Sequence, residues 1–167
     1  MDPIKLEVRN LTKTYPGTVA LSDFSAVMTG GNVYALLGKN GSGKSTFVKC
    51  LSGAVIPTEG EILLNDRPVH FRSPMDAFAA GVAIVYQELS LVLDFTVAEN
   101  ILLGRCFHKG PGGAVIDWKR TNEKAAEILA SLRIDIPVTE KVANLSVGQR
   151  QMIEIAKAMS YNPSVLI

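Results

Sequence analysis

The chain has 167 residues, 47% of them hydrophobic and 20% charged, which suits about one domain with a real core and argues against a disordered segment. Seventeen Lys and Arg against 16 Asp and Glu leave a formal charge of +1, so no global attraction draws the chain to nucleic acid or an anionic membrane. Two distant cysteines, Cys50 and Cys106, two isolated histidines, His70 and His108, no long apolar run and a start lacking a signal-peptide pattern argue against a disulfide-stapled, zinc-binding or membrane-spanning chain.

Ile4, Leu6 and Val8 alternate with Lys5, Glu7 and Arg9, the period of a strand with one wet face. Pro16-Gly17-Thr18 marks a turn, Phe24 to Val27 a second strand, and Gly30-Gly31-Asn32 a tight turn. Val33-Tyr34-Ala35-Leu36-Leu37 is short and continuously apolar, which predicts a strand buried on both faces. The glycine-rich stretch Gly38 to Thr46 follows, and Ser45 to Leu51 is predicted helical. Gly60 to Arg67 reads as a strand entering an Asn65-Asp66 turn, with Val69 to Phe71 returning as its partner.

Ser73-Pro74 starts a helix with a capping oxygen and a first-position proline, and Gly81 ends it. Val82 to Tyr86 is another candidate buried strand, and Val97 to Leu103 a short helix. His108 to Val115, with Gly110, Pro111, Gly112 and Gly113, reads as a surface loop. Asp117 can cap a helix reaching about Leu132, with Ala125, Ile128, Leu129 and Leu132 on one face. A further helix lies within Leu145 to Ser160, Asn162-Pro163 ends it, and Val165 to Ile167 begins a strand. The order implies an α/β chain in three parts: a β region with the α/β core at 1–96, a helical subdomain at 97–142, and a return to the core at 143–167.

The chemistry is concentrated in Gly38-Lys39-Asn40-Gly41-Ser42-Gly43-Lys44-Ser45-Thr46, which matches the phosphate-loop pattern G-x-x-x-x-G-K-[ST]. Glycines let backbone N–H groups turn toward phosphate oxygens, and the helix that follows adds free donors and a favourable dipole. Lys44 can reach the β- and γ-phosphates and Ser45 can ligate Mg²⁺, while Lys39, Asn40 and Ser42 are variable positions between the glycines. Tyr15 can stack on a base, or simply pack beside its turn.

Leu145-Ser146-Val147-Gly148-Gln149 resembles the signature motif of ATP-binding cassette (ABC) ATPases, about a hundred residues after the phosphate loop. Val85-Tyr86-Gln87-Glu88 resembles the Q-loop of that family, and Tyr15 falls where it carries an adenine-stacking aromatic residue. The wording from Tyr86 to Ile101, and Gln151 to Ala158, resembles the bacterial monosaccharide importers of the ribose, galactose and xylose type.

The resemblance implies a P-loop NTPase fold of ABC type, with an N-terminal antiparallel β region and a helical subdomain. It implies ATP and Mg²⁺ as ligands. Tyr15 would stack on adenine, Gly38 to Thr46 would wrap the triphosphate, and Ser45 and Gln87 would serve Mg²⁺. Gln87, the catalytic candidate, would contact the metal or the attacking water. Ser146, Gly148 and Gln149 would contact a nucleotide held by a second cassette. The implied partners are that cassette, a transmembrane permease and, indirectly, a periplasmic sugar-binding protein, with no nucleic acid. The implied location is peripheral, on the cytoplasmic face of the bacterial inner membrane.

The family's metal-binding aspartate and catalytic glutamate follow an apolar strand, and no Asp-Glu follows Val165-Leu166-Ile167 in this sequence. The sequence therefore reads as the N-terminal portion of a first cassette, its core incomplete at the C-terminus, and turnover by these 167 residues alone is expected to be at background. A nucleotide-binding module without turnover and a soluble ABC ATPase in translation or DNA repair are the alternatives. Arg150 is read as solvent-facing. Phe95, Ile101 and Leu102 fit either a partner groove or core packing.

Overall fold

In the computed structural model, residues 4–85, 90–110, 112 and 115–167 are described. The alternation at the N-terminus becomes a long strand, β1 (Lys5–Tyr15), which turns at Pro16-Gly17 into antiparallel β2 (Thr18–Thr29). On its other edge β1 pairs with β3 (Glu59–Leu64), which pairs in turn with β4 (Arg67–Val69), giving the sheet order β2-β1-β3-β4.

Leu6, Val8 and Leu11 all face the core, although the last two differ in parity. A register shift between Val8 and Leu11 accounts for this, because one irregular residue flips every later side chain to the other face. Asn10 at φ 50° and Asp23 at φ 47° bracket the shift. Asn10 Nδ2 donates to Asp23 Oδ1 at 2.6 Å, and the Asn10 N–H donates to Ser25 Oγ at 2.8 Å.

The wet face of β1 carries charge. Glu7 meets Arg9 Nε at 2.5 Å and Lys5 Nζ at 2.8 Å, and Lys5 also reaches Asp66 at 2.7 Å. Hydrogen bonds from the Arg9 guanidinium first, and from the Lys5 ammonium second, hold the Glu7 carboxyl down at about 2. A carboxylate whose folded value is depressed stabilises the fold above its ordinary range, near 4.5, and that contribution is lost as pH falls through about 2. Glu7→Gln is therefore expected to flatten the loss of stability on acidification across that window. Urea unfolding curves at stepped pH measure this, and identical pH slopes for both proteins would contradict it.

The core of the first unit is Leu6, Val8, Leu11, Ile62 and Leu64 of the sheet, packed with Phe47, Cys50 and Leu51 of α1 (Lys44–Leu51) and Ala77 of α2 (Pro74–Ala79). Ser73 caps α2 with a full capping box, as its serine-proline start predicts. A two-residue strand, β5 (Val82–Ala83), runs parallel to β8 (Val165–Leu166). The expected strand at 82–86 is thus formed over Val82–Ala83 but not at Ile84 and Val85, and Tyr86 lies outside the described residues.

Val33–Leu37 departs from expectation. It forms no strand: Val33 is fully exposed and Leu37 is 87% exposed. The cause is non-local, since an apolar run becomes a buried strand only where neighbours supply ladder hydrogen bonds, and β8 pairs with β5 instead. Tyr34 is tied back through its hydroxyl, which accepts from the Thr29 N–H at 2.9 Å. Tyr34, Ala35 and Leu36 flank an apolar cleft of about 490 Å³ shared with Phe24, Met28 and Phe47.

The second unit contains α3 (Val97–Ile101), a hairpin of β6 (His108–Lys109) and β7 (Val115–Ile116), α4 (Trp118–Ser131) and α5 (Val147–Met159). The expected loop at 108–115 is therefore framed by two short strands. Val97, Ala98 and Ile101 pack with Ala125, Leu129, Ile153 and Ala156. Ile101 and Leu102 belong to this core, whereas Phe95 remains 38% exposed.

Two compact units result, Met1–Ile84 with Ser164–Ile167, and Val85–Pro163. This division differs from the sequence partition at 97 and 143, because Ile153 and Ala156 place α5 in the helical core. None of the described helices is long and apolar enough to cross a membrane.

Candidate functional site

Gly38 to Gly43 forms an exposed loop that leads directly into α1. Gly43 is the residue preceding the helix, at φ 88°, with its space already filled: a Cβ there would lie 2.6 Å from the Ala20 carbonyl oxygen and 3.1 Å from Leu21 Cδ1. Gly41, at φ 81°, has open space around it among the described residues. The loop thus rests on the backbone of β2 at one glycine and faces outward at the other.

Four described helices, α2 to α5, have a side-chain N-cap: Ser73, Thr96, Asp117 and Ser146. Helix α1 has none, and no acidic residue lies in its first turn. Its first N–H groups are the donors that a capping side chain would otherwise satisfy, and the helix dipole leaves them electropositive. Lys44 Nζ donates to the carbonyls of Gly38 at 2.7 Å and Lys39 at 2.8 Å, so the ammonium is held at the loop by the loop itself. Ser45, exposed, and Thr46, half-buried, follow in the first turn. A cation, outward N–H groups and a hydroxyl on one helix end form a donor set suited to phosphate oxygens and their metal ion.

Tyr15 ends β1, paired with Thr18, and is 40% exposed; the same β1–β2 hairpin carries Ala20 against Gly43. Lys13 Nζ lies 5.2 Å from the centre of the Tyr15 ring. Gln87, the catalytic candidate of the sequence, lies outside the described residues.

Ser146 and Gln149 form a reciprocal capping box at the exposed start of α5: Ser146 Oγ accepts from the Gln149 N–H at 3.3 Å, and Gln149 Oε1 accepts from the Ser146 N–H at 2.9 Å. Gly148 is exposed, and an added Cβ would meet nothing within 4 Å among the described residues. No packing among the described residues calls for glycine there. Arg150, read from the sequence as facing solvent rather than ligand, is half-buried and donates through Nε to Val142 O at 3.1 Å and through a terminal nitrogen to Ala143 O at 2.8 Å, pinning the turn at Val142–Asn144 to α5. No sequence signal marks those carbonyls, nor that of Ala20 against Gly43.

The family model for ABC transporters matches residues 21–167. The ribose import ATP-binding protein of Rhodopirellula baltica is 44% identical over 166 residues, covering 99% of this chain and 32% of that protein. The arabinose import ATP-binding protein of Rhizobium meliloti is 46% identical over 162 residues, covering 96% of this chain and 31% of that protein. The chain thus spans about a third of the length of the curated relatives it matches. Among solved structures, an ATP-binding cassette of an ABC transporter in its ADP conformation superposes with TM-score 0.81 at 26% identity, over 99% of this chain and 68% of that one. A nucleotide-free cassette superposes with TM-score 0.78 at 25% identity, over 98% of this chain and 67% of that one. The core is accordingly α/β, of the P-loop ABC type, and not complete for a full cassette, while the family implies ATP and Mg²⁺ binding in general terms. With the family model matched over 147 of its 167 residues, 21–167, the chain belongs to the ABC transporter family.

Proposed function

We propose that this chain is the ATP-binding portion of the ATPase that drives import of a monosaccharide across the bacterial inner membrane. The observation that carries the nucleotide reading is the uncapped start of α1, with Lys44 held in the loop before it. Gly38, Lys39, Asn40, Gly41, Ser42, Gly43 and Thr46 line the triphosphate with backbone donors, Lys44 meets the β- and γ-phosphates, and Tyr15 stacks on adenine. Ser45 and Gln87 hold Mg²⁺, which when bound neutralises charge on the phosphate oxygens. Gln87 also orients the attacking water.

Ser146, Gly148 and Gln149 meet the γ-phosphate bound by a second cassette. The cap does not preclude this, because a hydroxyl that accepts the Gln149 N–H still has its own proton to donate. That no packing among the described residues calls for glycine at 148 supports an approach from outside the chain. The named roles of the relatives, ribose and arabinose import, support the transport reading. The partners are then a permease, a second cassette and a periplasmic sugar-binding protein, with the ATPase at the cytoplasmic membrane face.

The test is sugar uptake and ATP hydrolysis by the complete transporter reconstituted in vesicles, with and without Gly148→Ala. The substitution places alanine in a helix with open space, worth about 0.5–1 kcal/mol of added stability. Thermal stability and ATP binding are expected to hold while both activities fall at least about tenfold, as when a contact made only in the transition state is lost. Full uptake by the variant would reject the role of the α5 end, and ATP hydrolysis indifferent to sugar-loaded binding protein would reject sugar import.

A further inference from the structure

Lys13 lies two residues before Tyr15 on β1, and its ammonium has two neighbours. Nζ donates to the carbonyl of Ile56 at 2.8 Å and stands 5.2 Å from the centre of the Tyr15 ring, within the range at which an aromatic face attracts a cation. The carbonyl that anchors it belongs to a segment that is itself tied down. The Val55 N–H donates to Lys49 O, in the last turn of α1, at 3.1 Å. The Thr58 N–H donates to Thr12 O at 2.8 Å, and the Thr14 N–H donates to Thr58 Oγ at 3.1 Å. Residues 55–58 thus join the end of α1 to the end of β1.

The register of the β1–β2 hairpin slips at the same place. Lys13 pairs with Leu21 but Thr14 with Val19, which leaves Ala20 as an extra residue on β2. Such a bulge re-aims side chains, and Ala20 carries the carbonyl oxygen that Gly43 approaches. Helix α1 therefore meets this hairpin twice, through Gly43 before its first turn and through 55–58 beyond its last. A tyrosine at an exposed strand end has rotamer freedom, and a ligand that stacks on it must remove that freedom at a cost in affinity. The ammonium of Lys13 holds the ring in advance, while Tyr15 stays 40% exposed and so open to a ligand. We propose that Lys13 is a positioning residue that fixes Tyr15 relative to α1, so that the span from the base platform to the phosphate loop is set before nucleotide arrives. The proposal rests on the nucleotide reading above, in which Tyr15 stacks on adenine. Lys13 itself touches neither base nor phosphate and acts through the Tyr15 ring.

The experiment is calorimetric titration of adenosine, ATP and inorganic triphosphate into the complete transporter carrying Lys13→Met, Lys13→Arg, Tyr15→Leu and the Lys13→Met/Tyr15→Leu pair. Lys13→Met keeps the aliphatic stem and removes the ammonium. It is expected to weaken adenosine and ATP alike, about three- to tenfold, and to leave triphosphate within about twofold of the parent. Lys13→Arg keeps a cation and donors and is expected to restore adenosine affinity to within about twofold. The pair is expected to lose no more than Tyr15→Leu alone, because a residue that acts through the ring has nothing to hold once the ring is gone. Parental adenosine affinity in Lys13→Met, no recovery with Lys13→Arg, or a further loss in the pair would each overturn the proposal. An equal loss for triphosphate would overturn it too, by making Lys13 a phosphate ligand. Tyr15→Leu distinguishes the two levels: undiminished adenosine affinity in that variant would remove the base reading itself, whereas a loss there beside a parental Lys13→Met would remove only the role of Lys13.

Discussion

Replacing Lys44 by alanine is expected to weaken ATP binding about 10- to 150-fold, since hydrogen bonds from a charged donor are worth about 1.5–3 kcal/mol. The ammonium is the cation that the loop holds, through Gly38 O and Lys39 O. Adenosine, which lacks phosphates, is expected to bind the variant as it binds the parent. Lys44→Arg is not expected to rescue, because a planar guanidinium does not fit where a compact ammonium sits between two carbonyls. Calorimetric titration of ATP and adenosine into both proteins decides the matter. Equal ATP affinity with and without Lys44 would reject the site.

Gly43→Ala is expected to disable the loop by a different route. Its φ of 88° lies in the left-handed region, which costs an alanine about 1–2 kcal/mol. The new Cβ would also sit 2.6 Å from Ala20 O, a backbone atom of β2, so the backbone of one or the other must move. The combined destabilisation is expected to reach about 2–4 kcal/mol, with loss of ATP binding in whatever remains folded. Gly41→Ala is the control: it has a similar φ but open space, so its cost is confined to the backbone contribution of about 1–2 kcal/mol. Denaturant unfolding and ATP titration of the two variants separate strain from clash. Equal stability losses at Gly41 and Gly43 would show that Ala20 exerts no constraint.

Features encoded within a few residues were legible. The helix starts at Ser73-Pro74 and Asp117 exist as capped ends because a side-chain oxygen and an N–H three residues on need no distant partner. The phosphate-loop motif was legible for the same reason, as its glycines and lysine act on neighbouring backbone. Alternation in β1 was legible as far as Val8; the bulge at Asn10 was not, because its partners Asp23 and Ser25 lie on the next strand.

Other features needed the folded chain. Val33–Leu37 has the composition of a buried strand, yet without a ladder neighbour the backbone polar groups gain nothing from burial and the run lies exposed. Ile153 and Ala156, as apolar positions on a helix, do not say which core they enter, and only packing against Val97 and Leu129 assigns them. Glu154 reads in sequence as one more charge on an amphipathic helix, yet it is buried and accepts the Ser90 N–H, a grip that exists only because folding brings together residues 64 positions apart. Turns, caps and the phosphate loop are written in short stretches of chain because their energies are local. Strand pairing, core membership and the grip on Ser90 depend on contacts whose partners no short window of sequence contains.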